Sequence, residues 1–328
     1  MKVILDCDPG NGFPGADIDD GLALGLILRS PELELLAVTV VAGNTPVDKG
    51  VRAGLFVLEA AKADIPLYRG AERPLLEDPA PWRAHMDGRG RNEQATALWT
   101  ESDEPKPTRK ATPGGAAEAI VRLVNAHPGE ITIIAVGPLT NVASAILLDP
   151  QLPKKVARFV IMGGGFGVPN KPQELNFGYD PEAARLVVTS GAPTTLVPLD
   201  TTLKTALTLE ENAKLTASTD PLAHMLGRTC EPWIKYIAAT RKRVGCALHD
   251  PLAVAVVLDP TLVTISTVRV DVELVGRLTR GRPVSWIVND PSPNAGVKLP
   301  DLKPIDVAID VRKEAFVAMM MQRLLTTP

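Results

Sequence analysis

Five short apolar runs, rich in β-branched residues, recur along the first 200 residues, and each is followed by a helical pattern. They are KVILDCD from Lys2, LELLAVTVV from Leu33, EITIIAV from Glu130, VARFVIMGG from Val156 and APTTLVPLD from Ala192. The intervening periodicity predicts helices over 19–29, 46–63, 114–127, 139–148 and 181–190. Strand then helix, repeated, forces crossover connections. Those are right-handed, so they build a mostly parallel sheet with helices on both faces. The runs are apolar throughout, as strands buried on both faces should be. Beyond them, 204–248 reads as mostly helical, 262–312 as strand-like and KEAFVAMMMQRLL as an amphipathic helix. The expectation is an open α/β sheet with a helical and small strand-containing C-terminal part. No internal repeat or linker divides residues 1–328, which points to one domain. The stretch 73–113 is polar and rich in Pro and Gly. It reads as a long loop, either a functional lid or a disordered segment.

Composition removes several classes of function. The net charge is −3 and no Lys/Arg-rich segment of five or more occurs, which argues against nucleic-acid binding. No apolar run reaches the ~18 residues of a membrane span. The opening MKVILDCDPG enters a strand at once and lacks the long apolar stretch of a secretory signal. Cys7, Cys230 and Cys246 are scattered, with neither a disulfide framework nor zinc spacing. A cytoplasmic setting is the expectation.

The chemistry concentrates in DCDPGNGFPGADIDD, Asp6 to Asp20, which places five aspartates between two apolar elements. Side chains alternate along a strand, so Asp6 and Asp8 point the same way at its carboxyl end. Ligands bind at that edge in open α/β sheets. Asp19 and Asp20 open the next helix, where the dipole favours an anion by only about 0.3–1 kcal/mol. A divalent cation would offset the repulsion. An all-oxygen set points to Ca²⁺ or Mg²⁺ over Zn²⁺. A solvated acidic loop with helix caps is the competing reading. An EF-hand does not fit: counted from Asp6 or Asp8, its required Gly falls on Asn11 or Phe13.

DCDPG followed by DD resembles the inosine–uridine preferring nucleoside hydrolases. In that pattern one residue separates the Gly from the paired aspartates. Here eight do, Asn11 to Ile18, an apparent seven-residue insertion. Four further segments carry the resemblance in order: VVAGN at 40–44, AVGPLTNVA at 135–143, MGGG with QELN and DPEAA over 162–184, and LHDPLAV at 248–254.

The resemblance implies a Rossmann-like α/β fold, a ribonucleoside substrate and a homodimer or homotetramer. It implies one Ca²⁺ held by Asp8, Asp20, Asp250 and the Val136 carbonyl, with Asp8 as the base that activates water. Asp19 would partner the ribose hydroxyls and Asn44 would contact the ribose. Glu174 and Asn176 would grip the 5′-hydroxyl, and Asp6 would support the metal ligands. Where the pattern has an Asn six residues before the Glu, this chain has Val168, and Asn170 stands nearby. His249 is the candidate acid for the leaving base; its unperturbed pKa of ~6.5 suits that task. A hydrogen-bonded structural role is its alternative.

Trp233 and Tyr236 share a helix face and would either contact the base or pack in the core. Arg241 and Arg243 either reach the pocket or are solvated. His85 and Asp87 match the position of an active-site loop, with solvation as the alternative. Asp17 has no counterpart in the pattern. Two other functions compete: an aspartate-nucleophile phosphohydrolase, which would want Thr or Val at Gly10, and a ribose-binding relative whose insertion has spoiled catalysis.

Overall fold

A computed structural model describes residues 1–100, 104–288 and 299–326. Residues 101–103 of the expected loop and 289–298 of the strand-like stretch lie outside them. The strands are β1 (Lys2–Cys7), β2 (Glu34–Val40), β3 (Leu67–Arg69), β4 (Thr112–Gly115), β5 (Ile131–Ala135), β6 (Arg158–Met162), β7 (Thr194–Val197), β8 (Val263–Val272), β9 (Pro283–Ile287) and β10 (Ile305–Val311). They form one 10-stranded sheet in the order β4-β3-β2-β1-β5-β6-β7-β10-β8-β9. Pairing is parallel from β4 through β10. The C-terminal strands β8 and β9 then add antiparallel.

Both faces of the sheet are covered, as the uniformly apolar strands require. On one face Val3, Leu5 and Cys7 of β1 join a cluster with Leu22, Leu26, Leu226, Leu252 and Leu324. These come from helices Asp19–Leu28, Pro221–Arg241, His249–Leu258 and Lys313–Leu325. On the other face Ile4 packs with Ile120, Val142 and Val187 from helices Ala116–Ala126, Thr140–Leu148 and Pro181–Val188. Each such fully buried aliphatic side chain contributes roughly 1.5–3 kcal/mol. Helix Asp19–Leu28 is buried almost all round, because helix His249–Leu258 packs along it. That contact brings Asp19 and Asp20 beside Asp250.

The expected loop over 73–113 is corrected by the structure. It holds helix Ala80–Arg89, helix Glu93–Leu98 and β4. Pro81 in the first turn of the former is compatible with a helix start. Asn92 caps the latter by accepting from the Ala95 N–H at 2.9 Å. Tertiary contact supplies what periodicity lacks: Met86, Ala95 and Trp99 are buried, and Trp82 Nε1 donates to the Gly178 carbonyl at 3.1 Å. Among the described residues, no helix is long and apolar enough to cross a membrane.

Candidate active site

The strand order reverses at β1. The chain runs outward through β2, β3 and β4, then restarts at β5 on the other side. A crevice opens outside the carboxyl ends of two strands at such a switch point. Asp8 lies just beyond β1 and Val136 just beyond β5.

Asp8, Asp19, Asp20 and Asp250 are all buried, and short hydrogen bonds lock them. The Asp8 N–H donates to Asp20 Oδ1 at 2.8 Å, and the Asn44 N–H donates to Asp8 Oδ2 at 2.5 Å. Asn44 Nδ2 reaches Asp20 Oδ2 at 3.2 Å. Asp19 Oδ2 accepts from the N–H groups of His249 and Asp250 at 2.9 and 3.0 Å, which joins the first motif to the last. Close approach also accounts for two glycines. A Cβ on Gly43 would lie 2.0 Å from Asp8 Oδ2, and one on Gly137 would lie 2.9 Å from Oδ1.

Oxygens of Asp19, Asp20 and Asp250 lie within 4.8 Å of one another. Among the described residues, no Lys or Arg forms an ion pair with these carboxylates. Burial, reinforced by neighbouring carboxylates, holds the carboxyls of Asp8, Asp19 and Asp250 well above the usual range. Burial pushes Asp20 up to about 6. This donor set fits a hard divalent cation, because positive charge is what it lacks and every ligand atom is oxygen. Asp19 stands within the tightest group, although the sequence assigns it to the ribose. The Val136 carbonyl accepts from Asn176 Nδ2 at 2.7 Å and keeps a second lone pair.

Asp6 does not touch this group. Its Oδ1 accepts from Thr39 Oγ1 at 2.6 Å and Asn141 Nδ2 at 2.7 Å, while burial pushes its pKa up to about 7. It ties β1 to β2 and to the helix of the GPLTN motif.

A cavity of about 370 Å³ opens over the carboxylates. Its wall includes Asp8, Asp19, Asn44, Val136, Asn170, Glu174, Asn176, His249 and Asp250. Asp20 is fully buried and does not line it. Glu174 is held by the N–H groups of Gly164, Asn176 and Phe177 at 2.8 to 3.0 Å. Asn170 has a left-handed backbone, φ 58°. His249 Nδ1 sits 2.7 Å from Thr202 Oγ1. Burial pulls the His249 pKa down to about 4, against the pull of Asp17. This corrects the expectation of an unperturbed value near 6.5: the resting imidazole is neutral at pH 7.

The sequence matches the model of the inosine-uridine preferring nucleoside hydrolases over residues 3–318. The chain belongs to this family. Its relatives include ribonucleoside hydrolases, which cleave N-glycosidic bonds. A pyrimidine-specific ribonucleoside hydrolase of Shigella boydii is 32% identical, over 99% of this chain and 98% of its own. An uncharacterized protein of Schizosaccharomyces pombe is 36% identical, over 87% and 88% of the two chains. Among solved structures, a purine-preferring ribonucleoside hydrolase from Gardnerella vaginalis superposes with a TM-score of 0.81 at 30% identity, covering 99% and 98%. A plant nucleoside hydrolase gives 0.82 at 30%, covering 99% of each chain.

Several features of this nucleoside hydrolase's cavity bear on alternatives that the sequence leaves open, and others are new. Trp233 and Tyr236 do not line it. They are buried and stacked at 5.5 Å, and the guanidinium groups of Arg89 and Arg241 lie 5.5 and 5.4 Å from the Trp233 ring. The aromatic pair therefore supports the cationic part of the wall, while Trp82 is the aromatic residue that lines the cavity. Arg89, Lys171 and Arg241 line the cavity, as do Asp17 and His85. Asp87 instead lies 3.6 Å from Arg83. The unusual spacing after DCDPG is the sequence signal that marks Asp17. Nothing in the local sequence marks Lys171 or Arg89.

The insertion is packed rather than solvated. Phe13 is buried among Ala16 and Ala53, with Lys49 and Arg52 each 5.1 Å from its ring. Asn11 Nδ2 donates to Thr229 Oγ1 at 3.2 Å. Gly15 has φ +71°, and a Cβ there would lie 2.5 Å from the Gly90 nitrogen and 2.6 Å from the Arg89 carbonyl carbon. The inserted loop thus abuts the end of helix Ala80–Arg89 backbone against backbone.

Proposed function

We propose that this protein hydrolyses ribonucleosides to free base and ribose with one Ca²⁺ held by Asp8, Asp20, Asp250 and the Val136 carbonyl. The observation that carries the reading is the buried group Asp19, Asp20 and Asp250, within 4.8 Å, at the switch-point cavity. When bound, the cation would lower the pKa of water and orient ribose hydroxyls. Asp8 takes the proton from the attacking water, and its position is fixed by the Asn44 N–H and the two flanking glycines. Asp19 accepts from ribose hydroxyls, and its carboxylate is fixed by the His249 and Asp250 amides.

Glu174 and Asn176 orient the 5′-hydroxyl. Three backbone donors hold the Glu. The ribosyl carbon passes through an oxocarbenium-like state, which surrounding carboxylates favour. In the tautomer with its proton on Nε2, His249 Nδ1 accepts from Thr202 Oγ1, and Nε2–H is a neutral donor to the departing base. One relative is named for pyrimidines and one structural neighbour for purines, so family likeness leaves the base open.

Incubation with uridine, inosine and p-nitrophenyl phosphate, with and without chelator, tests this. Free base from the nucleosides, lost on chelation and restored by Ca²⁺, is the expected result. Release of p-nitrophenol alone would refute it.

A further inference from the structure

Arg89 is the last residue of helix Ala80–Arg89 and reaches the cavity wall. Its Nε and Nη2 are buried and have no hydrogen-bond partner among the described residues. A buried donor left unmade costs about 1–3 kcal/mol, more when charged. The group is nevertheless firmly placed. Its guanidinium lies over Trp233 at 5.5 Å, and Trp233 stacks on Tyr236. Tyr236 in turn accepts from Asn92 Nδ2 at 2.9 Å and sits 3.4 Å from the Arg89 carbonyl. The inserted loop closes the other side: Gly15 abuts Arg89 and Gly90, and Asp17 lines the cavity near enough to act on the Arg89 charge.

A guanidinium held over an indole at the cavity wall, with donors left unpaired, suits a planar ligand carrying a carbonyl oxygen. Among the parts of a ribonucleoside, only the base offers one.

Resting on the ribonucleoside hydrolase reading, we propose that Arg89, seated by the Asn11–Ile18 insertion, recognises a carbonyl oxygen of the nucleobase and stabilises the base as it leaves. As the C1′–N bond breaks, its electron pair departs with the base and spreads onto the carbonyl oxygen. Water supplies hydroxyl to C1′ and its proton to Asp8. The base later takes a proton from water. Negative charge on the oxygen grows through the step, so the Arg89 hydrogen bonds are stronger in the transition state than in the bound substrate. A base without a carbonyl gains nothing from them.

The contrast between inosine and purine riboside isolates this contact, because the two differ only in the 6-oxo group and the tautomer it brings. Arg89→Met should lower kcat/KM for inosine and uridine roughly 10- to 100-fold, the range for hydrogen bonds to a charged group. It should change purine riboside and p-nitrophenyl riboside by less than about 3-fold. Arg89→Lys keeps the charge and packing and should show a smaller loss with the same selectivity. It carries the test if the Met variant does not fold. An NMR titration of His85 gives a readout apart from activity. Burial first, and the charge of Arg89 second, hold that imidazole low, so Arg89→Met should raise its pKa. Equal losses on all four substrates, or no loss on inosine, would overturn the proposal. Wild-type protein that cleaves none of the four overturns the hydrolase reading itself.

Discussion

Removal of the cation should be visible as a loss of stability before any substrate is added. Oxygens of Asp19, Asp20 and Asp250 lie within 4.8 Å of one another. At an effective dielectric of ~20, two unit charges at that distance repel by about 3.5 kcal/mol. Three such pairs reach on the order of 10 kcal/mol, comparable to the whole stability of a domain. The helix dipole behind Asp19 and Asp20 returns only a fraction of that. A cation bound to the folded state alone therefore governs whether this group can stay ionised.

With free Ca²⁺ at 100 times its dissociation constant, the gain is about 2.7 kcal/mol. For 328 residues, an unfolding entropy of ~2.1 cal/mol/K per residue converts this to a Tm shift of about 4 °C. The assay is differential scanning calorimetry on chelated protein, retitrated with Ca²⁺, Mg²⁺ or Zn²⁺. Ca²⁺ should give the largest rise, because flexible multi-oxygen coordination suits it better than Mg²⁺. Asp250→Asn should be at least as stable as wild type without metal, and should lose most of the Ca²⁺ response. Protein shown by elemental analysis to be metal-free, with unchanged Tm and full activity, would refute the reasoning.

Three further outcomes follow from the same structure. Asp8→Asn should keep its fold by circular dichroism and lose at least ~10²-fold in turnover, the usual contribution of a positioned base; near-normal turnover would remove Asp8 from the mechanism. His249→Ala should damage inosine and uridine cleavage far more than p-nitrophenyl riboside cleavage, since p-nitrophenolate leaves unaided, and equal losses would exclude a leaving-group role. Asp220→Ala should cost roughly 3–5 kcal/mol in denaturant unfolding. It strands Arg29, whose Nη2 lies 2.6 Å from both Asp220 oxygens in a buried pair, and it removes the cap on Ala223 N–H. Asp220→Asn keeps the cap and should cost less.

The parallel sheet and most of its helices were legible because the signal is local. LELLAVTVV and EITIIAV can be little else, and the helix expected over 139–148 is observed at Thr140–Leu148. The stretch 73–113 was misread because its helices rest on distant partners. Trp82 bonds Gly178, and Asn92 bonds Tyr236, far along the chain. Short β3, with three residues, likewise falls below any periodic signal. The motif glycines were visible as letters, but their reason was not: Gly43 and Gly137 make room for the Asp8 carboxylate.

The site divides along the same physical line. The acidic half is readable because each carboxylate begins a helix or ends a strand, so its place follows from the element that carries it. Asp8 directly follows β1, Asp19 opens one helix and Asp250 lies in the first turn of another. The cationic half is less readable: the sequence leaves Arg241 between pocket and solvent and does not mark Arg89 or Lys171. Arg89, Lys171 and Arg241 come from a helix end, a loop and another helix end, and only the packing brings them onto one wall. The sequence left the aromatic pair Trp233 and Tyr236 between contact with the base and packing in the core. Burial favours packing: the Trp233 ring carries the guanidinium groups of Arg89 and Arg241, which line the cavity. In the proposed binding mode, a base entering this site meets donors on a rigid support, with acceptors beneath its sugar. That polarity matches a bond that breaks with cationic character on the ribose and anionic character on the base.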